Sequence, residues 1–426
     1  MSSYKSWVTV PKGSHFSLAN IPFGIISTAA DSRPRPAVAI GEHVLDLCVF
    51  AANGGFSALP DSTAYLHVFQ QSTLNDFAAL GRPVHRAVRV YLQDVFRAET
   101  PYPDVLRDNA GLREQVLLPL ASVTNHMPLH VGDYADFFAG YYHALKAIQV
   151  YDVQLADNYT HMPVGYNGRS SAVVLSGTPI RRPLGQFRET KDSAPVFGAT
   201  RQLDFEVELG CFIGRPSRFS EPIGVDDAED HIFGVVLLND WSARDIQAWE
   251  MPPLGPVNGK SFGTSISPWV VLADALAPFR TAAVANPTTV LPYLQQADAN
   301  NVYDIKLHAT LTTPSGNTQV VTSLSSKHTL WSFPQMIAHQ SSNGCPMRSG
   351  DIMASGTISG PTRFEHGTFL EINDNGALSS DIAGKEERSY LLDGDTLELS
   401  GVCGDDEEAL VGFGTCVGTI LPALVK

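Results

Sequence analysis

Cysteine is sparse in this chain, and its placement excludes two structural devices. The five residues, Cys48, Cys211, Cys345, Cys403 and Cys416, are odd in number and scattered, with no CxxC pair. A disulfide framework or a structural zinc site is therefore not expected. Most lie in apolar, strand-like surroundings and read as small core residues. No apolar run is long enough to span a bilayer. The start, MSSYKSWVTV, lacks the apolar centre of a secretory leader, and the final LPALVK is not a peroxisomal address. A cytoplasmic protein is expected. Basic residues are also in short supply, 29 Lys and Arg against 44 Asp and Glu. A net charge of −15 argues against nucleic acid or an anionic membrane as partner. It does not exclude a small anionic substrate, because a few local cations can dominate a pocket.

What remains is a soluble globular composition, 44% hydrophobic and 17% charged, over 426 residues. That length exceeds one ordinary core, so two domains are expected, residues 1–120 and 121–426. Residues 1 to 60 read as short strands and turns, with Phe23–Ser27, Ala37–Ile40 and His43–Leu47 as strands. This spacing suggests a small barrel-like unit. Thr63–Arg97 turns helical and amphipathic, with Leu66, Phe69, Phe77, Leu80, Val84, Val88, Tyr91 and Val95 as buried positions. Pro101–Leu120 reads as a linker. Beyond it β patterns dominate, at Ala172–Ser176, Leu203–Ile213, Ile232–Asn239, Pro268–Ala273, Ile305–Leu311, Gln319–Ser323, Leu391–Ser400 and Leu410–Ile420. Few helices separate these strands, which excludes a parallel doubly wound sheet, and turn signals such as Pro314-Ser315-Gly316-Asn317 favour antiparallel hairpins. The fold class is mainly β with some α. There is no internal repeat.

Chemistry concentrates in Asn239–Trp269. The apolar run Ile232–Leu238 reads as a buried strand, and Asn239-Asp240 can cap a helix that follows it. In one helix Asp240, Arg244, Gln247 and Met251 would share a face. An acid, a guanidinium and an amide there suit a metal and an oxygen-rich small molecule. A glycine-spaced loop returns Lys260 and Thr264 to the same neighbourhood.

Leu203–Leu209 alternates strictly, so a strand would put Asp204, Glu206 and Glu208 on one face. Neighbouring carboxylates repel unless a cation lies between them, and hard cations such as Mg2+ and Ca2+ choose oxygen ligands. A solvated acidic face is the alternative. Asp240 favours the metal. In His130–His143 a helix would align Asp136 with His143. A histidine among aromatics is commonly a core residue; a carboxylate orienting its ring would make it a general base. Glu371, an acid in the apolar stretch Thr368–Ile372, is a candidate partner, unless its strand register turns it to water.

The motifs VGDYADF (131–137), PVGYNGRSSAVVLSGTPIRRPLGQ (163–186), FEVELG (205–210), HIFGVVLLNDWSARDIQAWE (231–250), GKSFGTSISPWV (259–270), SSNGCPMRSGDIMASGTISG (341–360) and LLDGD (391–395) together resemble the fumarylacetoacetase family, across nearly the whole chain. The family's members are carbon–carbon bond hydrolases that end tyrosine and phenylalanine catabolism. The resemblance implies an N-terminal SH3-like barrel, a C-terminal mixed β-roll and a homodimer. It implies a divalent metal, Mg2+ or Ca2+, on Asp136, Glu206, Glu208 and Asp240, with Lys260 and Thr264 as further ligands. It also implies His143 as catalytic base with Glu371 as its carboxylate, and substrate contacts from Tyr166, Arg244, Gln247, Lys260 and Thr357. The substrate implied is a small 1,3-dicarbonyl, attacked by water that His143 activates, with Arg244, Gln247 and Lys260 stabilising the oxyanion.

Three substrate-contact positions depart from the pattern: Phe138 and Met251 stand where the family has tyrosine, and Asp152 where it has arginine. Losing a charged hydrogen bond costs about 1.5–3 kcal/mol, before the repulsion from Asp152. The expectation is a more apolar pocket and a different acyl substrate, such as a polyketide-like or amine-bearing dicarbonyl of specialised metabolism. An ordinary tyrosine-pathway enzyme with a drifted pocket is the alternative. Two further readings remain open: a non-hydrolytic metal-enolate enzyme (decarboxylase, tautomerase or carbon–carbon bond-forming), and a non-catalytic binding or scaffold protein.

Overall fold

Ile232–Asp240 is buried at all nine positions because it runs through the middle of a sheet covered on both faces. The computed structural model describes residues 5–424. In this mixed sheet the strand order is Gly165–Asn167, Tyr134–Phe137, Ile352–Ala354, Val207–Ile213, Ile232–Asp240, Thr264–Ile266 and Val173–Leu175, with Val271–Leu272 also pairing with the central strand. Most neighbours are antiparallel; Ile352–Ala354 with Tyr134–Phe137 and Thr264–Ile266 with Val173–Leu175 are parallel.

A second sheet of five strands belongs to the N-terminal region, in the order Leu117–Pro119, His43–Asp46, Arg35–Ile40, Phe23–Thr28 and Val123–His126. A third joins Thr318–Ser325, Lys306–Thr312, Thr396–Cys403, Val411–Leu421 and Ile180–Arg181. The turn at Pro314–Asn317 does close a hairpin between its first two strands. The protein is mainly β with some helix, and among the described residues no helix is long and apolar enough to cross a membrane. Apolar side chains of the N-terminal region, among them Phe23, Phe69 and Phe77, share one core with Phe233, Val236 and Leu238 of the central strand.

Several local expectations change. Thr63–Arg97 is two short 3-10 turns and the helices Asn75–Ala79 and Arg82–Phe96; Gly81 (φ 83°) separates the two helices, and Pro83 sits in the first turn of the second. Leu66, Leu80 and Val84 are half-buried there, while Phe69, Phe77, Val88, Tyr91 and Val95 are fully buried. The stretch 101–120 is not a bare linker: Ala110–Val116 is helical, and Leu117–Pro119 hydrogen bonds to His43–Leu45 as a sheet edge. The predicted Leu391–Ser400 strand lies at Thr396–Cys403, because Asp393-Gly394 makes a turn first.

Candidate active site

Three strand ends carry acids to one place. Asp136 lies on Tyr134–Phe137, Glu208 on Val207–Ile213 and Asp240 on the last residue of the central strand. Glu206 joins them from the break before Val207, where its backbone N–H donates to Asn239 Oδ1 at 3.1 Å. The ligand atoms of Asp136, Glu206, Glu208 and Asp240 all lie within 4.8 Å of one another, and all four residues are buried. Asp136 Oδ1 and both carboxylate oxygens of Glu208 have no hydrogen-bond partner. Buried acceptors without donors are costly, and a hard cation would satisfy them. Oxygen donors of this kind fit a divalent cation, so the site is one that could hold a metal.

The electrostatics point the same way. Burial, then the neighbouring Asp240, push the Asp136 carboxyl well above its usual range; burial, then Asp136, do the same to Glu208. Burial also raises Asp240, against the pull of Lys260. Glu206 behaves oppositely: burial resists its ionisation, but Lys260 and Arg244 prevail and hold it below the usual range. Lys260 Nζ donates to Asp240 Oδ2 at 2.8 Å and to Glu206. Thr264 Oγ1 donates to Asp240 Oδ1 at 3.1 Å, and Tyr166 Oη to Asp240 Oδ2 at 3.2 Å. Lys260 and Thr264 thus touch the acid cluster as donors.

The strict alternation of Leu203–Leu209 does not give three acids on one face. The strand is interrupted: Leu203–Asp204 pairs with Ser242–Ala243, and a separate strand begins at Val207. Asp204 is diverted from the cluster. Its carboxylate accepts Arg244 Nε at 2.9 Å and the backbone N–H groups of Phe369 and Leu370 at 2.8 and 2.9 Å. It therefore fixes at once a guanidinium and the first turn of the helix Phe369–Ile372. Neither a solvated acidic face nor a single continuous strand describes these residues.

That short helix, not a strand, presents Glu371. Glu371 Oε2 lies 2.9 Å from His143 Nδ1, off the ideal hydrogen-bond line, and accepts Ser359 Oγ at 2.8 Å. Burial opposes its ionisation, yet the adjacent His143 and Ser359 bring the carboxyl below the usual glutamate range. His143 sits on the helix Tyr141–Tyr151, whereas Asp136 is on a strand, so the two meet through a turn and not along one helix. Gly140 makes the turn possible: a Cβ there would lie 1.9 Å from the carbonyl oxygen of Thr357. The Phe138 ring stands edge-on to the imidazole, centroids 5.3 Å apart.

Arg244 and Gln247 lie on the helix Arg244–Glu250, which starts after Asp240 and not at it, since Asp240 ends a strand. Arg244 Nη1 donates to Glu206 Oε1 at 2.8 Å and to Gln247 Oε1 at 3.1 Å, and its Nη2 is buried without a partner. These groups open onto a cavity of about 490 Å³ lined also by Phe138, Tyr166, Met251 and Thr357. Asp152 is the exception among the expected contacts. It is an exposed left-handed cap (φ 51°, ψ 50°) ending the His143 helix, and the cavity takes its neighbours Tyr151 and Val153 instead. Sequence reading missed Tyr151, Ser359 and the tie made by Asp204; nothing in the alternation of Leu203–Leu209 sets Asp204 apart from Glu206 and Glu208.

Residues 19–128 match the fumarylacetoacetase N-terminal family model, and residues 135–421 the fumarylacetoacetate hydrolase C-terminal one. Fumarylacetoacetase fahA of Aspergillus fumigatus is 52% identical, covering 98% of this chain and 99% of its own. The Homo sapiens fumarylacetoacetase is 44% identical, covering 99% of each. Among solved structures, a fumarylacetoacetate hydrolase from Exiguobacterium antarcticum shares the fold, with a TM-score of 0.51 at 17% identity, over 94% of this chain and 99% of that one. Two family models that together span most of the chain, and full-length relatives at this identity, lead to one conclusion: the chain belongs to the fumarylacetoacetase family.

Proposed function

We propose that this protein is a hydrolase that cleaves a carbon–carbon bond in a 1,3-dicarbonyl of the fumarylacetoacetate kind. The observation that carries the reading is the buried four-carboxylate cluster, three of whose acids (Asp136, Glu206 and Glu208) line the same cavity as a histidine backed by a buried glutamate. Full-length relatives named fumarylacetoacetase support it. Asp136, Glu206, Glu208 and Asp240 would hold Mg2+ or Ca2+, which when bound polarises a carbonyl and offsets negative charge.

The chain's own groups supply the rest. Glu371 faces Nδ1 of His143, leaving Nε2 free to take a proton from water. Hydroxide adds to a substrate carbonyl, and the oxygen that gains charge meets donors from Arg244 Nη2, Gln247 and Lys260. Collapse breaks the bond between the carbonyl carbon and the carbon flanked by both carbonyls. One fragment leaves as a carboxylic acid, and the other takes a proton back at carbon. Burial of Arg244 and Lys260 among carboxylates fixes their positions before substrate arrives.

Turnover of fumarylacetoacetate with added Mg2+ in 18O-labelled water tests this. One labelled oxygen is expected in the acid product, with activity lost on chelation and in His143→Ala. Product without label, or full activity after chelation, overturns the reading. The homodimer, the cytoplasmic location, the SH3-like reading of the N-terminal sheet and the division at residue 120 rest on the resemblance and composition. Val123–His126 hydrogen bonds back to the N-terminal sheet across that division.

A further inference from the structure

We infer that the outer part of the cavity accepts an uncharged, largely apolar arm of the substrate and disfavours one that ends in a carboxylate. This rests on the hydrolase reading above and narrows its substrate class. Arg244 and Lys260 are the only Lys or Arg side chains among the described residues that line the cavity. Both sit at its floor and are already balanced. Arg244 pairs with Asp204 and Glu206, and Lys260 with Glu206 and Asp240. The unpartnered Nη2 of Arg244 offers a hydrogen bond, suited to a carbonyl oxygen, but no uncompensated charge. Carboxylates still outnumber these cations when a dication is added to the floor.

The two segments that form the outer wall supply no cation at all. Residues 151–158 contain Asp152 and Asp157 but no Lys or Arg, and residues 251–259 carry no charged residue. Their contribution is apolar. Val153 (58% exposed), Leu254 (93%) and Met251 (40%) line the cavity, with Ile148 and Leu155 beside them. Apolar side chains left open to water at a cavity rim gain by covering with an apolar ligand group. Gln154, Asn158 and the Tyr151 hydroxyl are neutral polar groups in this part of the lining, able to bond a ketone or hydroxyl. A carboxylate placed here would find no counter-charge, would forgo the gain from covering these apolar side chains, and would face a floor of the same sign.

The test compares nonane-2,4-dione with 6,8-dioxononanoate, which differ only in a methyl or carboxylate at the end of the arm, using fumarylacetoacetate as reference. With the Mg2+-loaded full chain, kcat/KM for the methyl-ended compound is expected to be at least tenfold higher, mainly through KM. Val153→Arg, a change at an exposed position, should raise kcat/KM for 6,8-dioxononanoate at least fivefold. Equal or faster cleavage of the acid-ended compound, or of fumarylacetoacetate well ahead of the dione, overturns the inference and leaves the hydrolase reading standing. No effect of Val153→Arg also overturns it. If none of the three compounds is cleaved, the hydrolase reading falls and this inference with it.

Discussion

Glu208→Gln separates a cation site from a merely crowded group of acids. Glu208 is fully buried, and neither of its carboxylate oxygens has a partner. Its ligand atom lies within 4.8 Å of those of Asp136, Glu206 and Asp240. With no cation present, burial first and Asp136 next hold its carboxyl protonated to well above the ordinary glutamate value of 4.5. The folded protein therefore binds a proton that the unfolded chain releases near that pH. The stability this contributes is complete below pH 4.5 and is lost as pH rises toward the folded value. Two unit charges at this spacing repel by ~3–4 kcal/mol at an effective dielectric of about 20. Lys260 offsets part of that repulsion. Glutamine keeps the shape and removes the charge, so the metal-free variant should gain about 1–3 kcal/mol at pH 8 and lose much of the parent's decline between pH 5 and pH 8.

With Mg2+ or Ca2+ the sign reverses, because the variant has lost one anionic ligand. Thermal unfolding, with chelator and with millimolar Mg2+, reads both effects. The parent's Tm should rise with the logarithm of Mg2+ concentration once that exceeds Kd, and the variant should gain little. Two results would refute this reasoning: a metal-free variant less stable than its parent at pH 8, or an undiminished rise in Tm with Mg2+.

Three other outcomes follow from the same geometry. Glu371→Gln preserves the shape beside His143 Nδ1 but removes the charge that stabilises an imidazolium; kcat should fall about 10²–10⁴-fold with little change in KM or in Mg2+ affinity. Asp204→Ala strands the buried Arg244 Nε and two helix N–H groups, so chemical denaturation should show a loss of about 3–5 kcal/mol. Asp204→Asn, which can still accept those bonds in part, should lose less. Gly140→Ala would place a methyl 1.9 Å from the Thr357 carbonyl oxygen and must displace the start of the helix bearing His143; kcat should drop at least tenfold, which steady-state kinetics would show.

The family, the mainly β class and the central strand were legible in the sequence because each is written locally: in motif wording, in turn residues, and in a run as apolar as Ile232–Leu238. So were the acids at 136, 206, 208 and 240, which the fold does gather. Local periodicity misled where backbone pairing outweighed it. Asp204 and Glu208 share a parity but not a destination, because Leu203–Asp204 and Val207–Ile213 pair with different partners. Asp152 is left out of the cavity lining, exposed to solvent, because a left-handed cap turns the chain there and puts Tyr151 and Val153 on the wall instead. Composition and pattern thus determined which chemistry the chain carries. Which side chains meet was decided only when strands far apart in the chain took their register, since hydrogen bonding between distant segments leaves no mark in the spacing of either one.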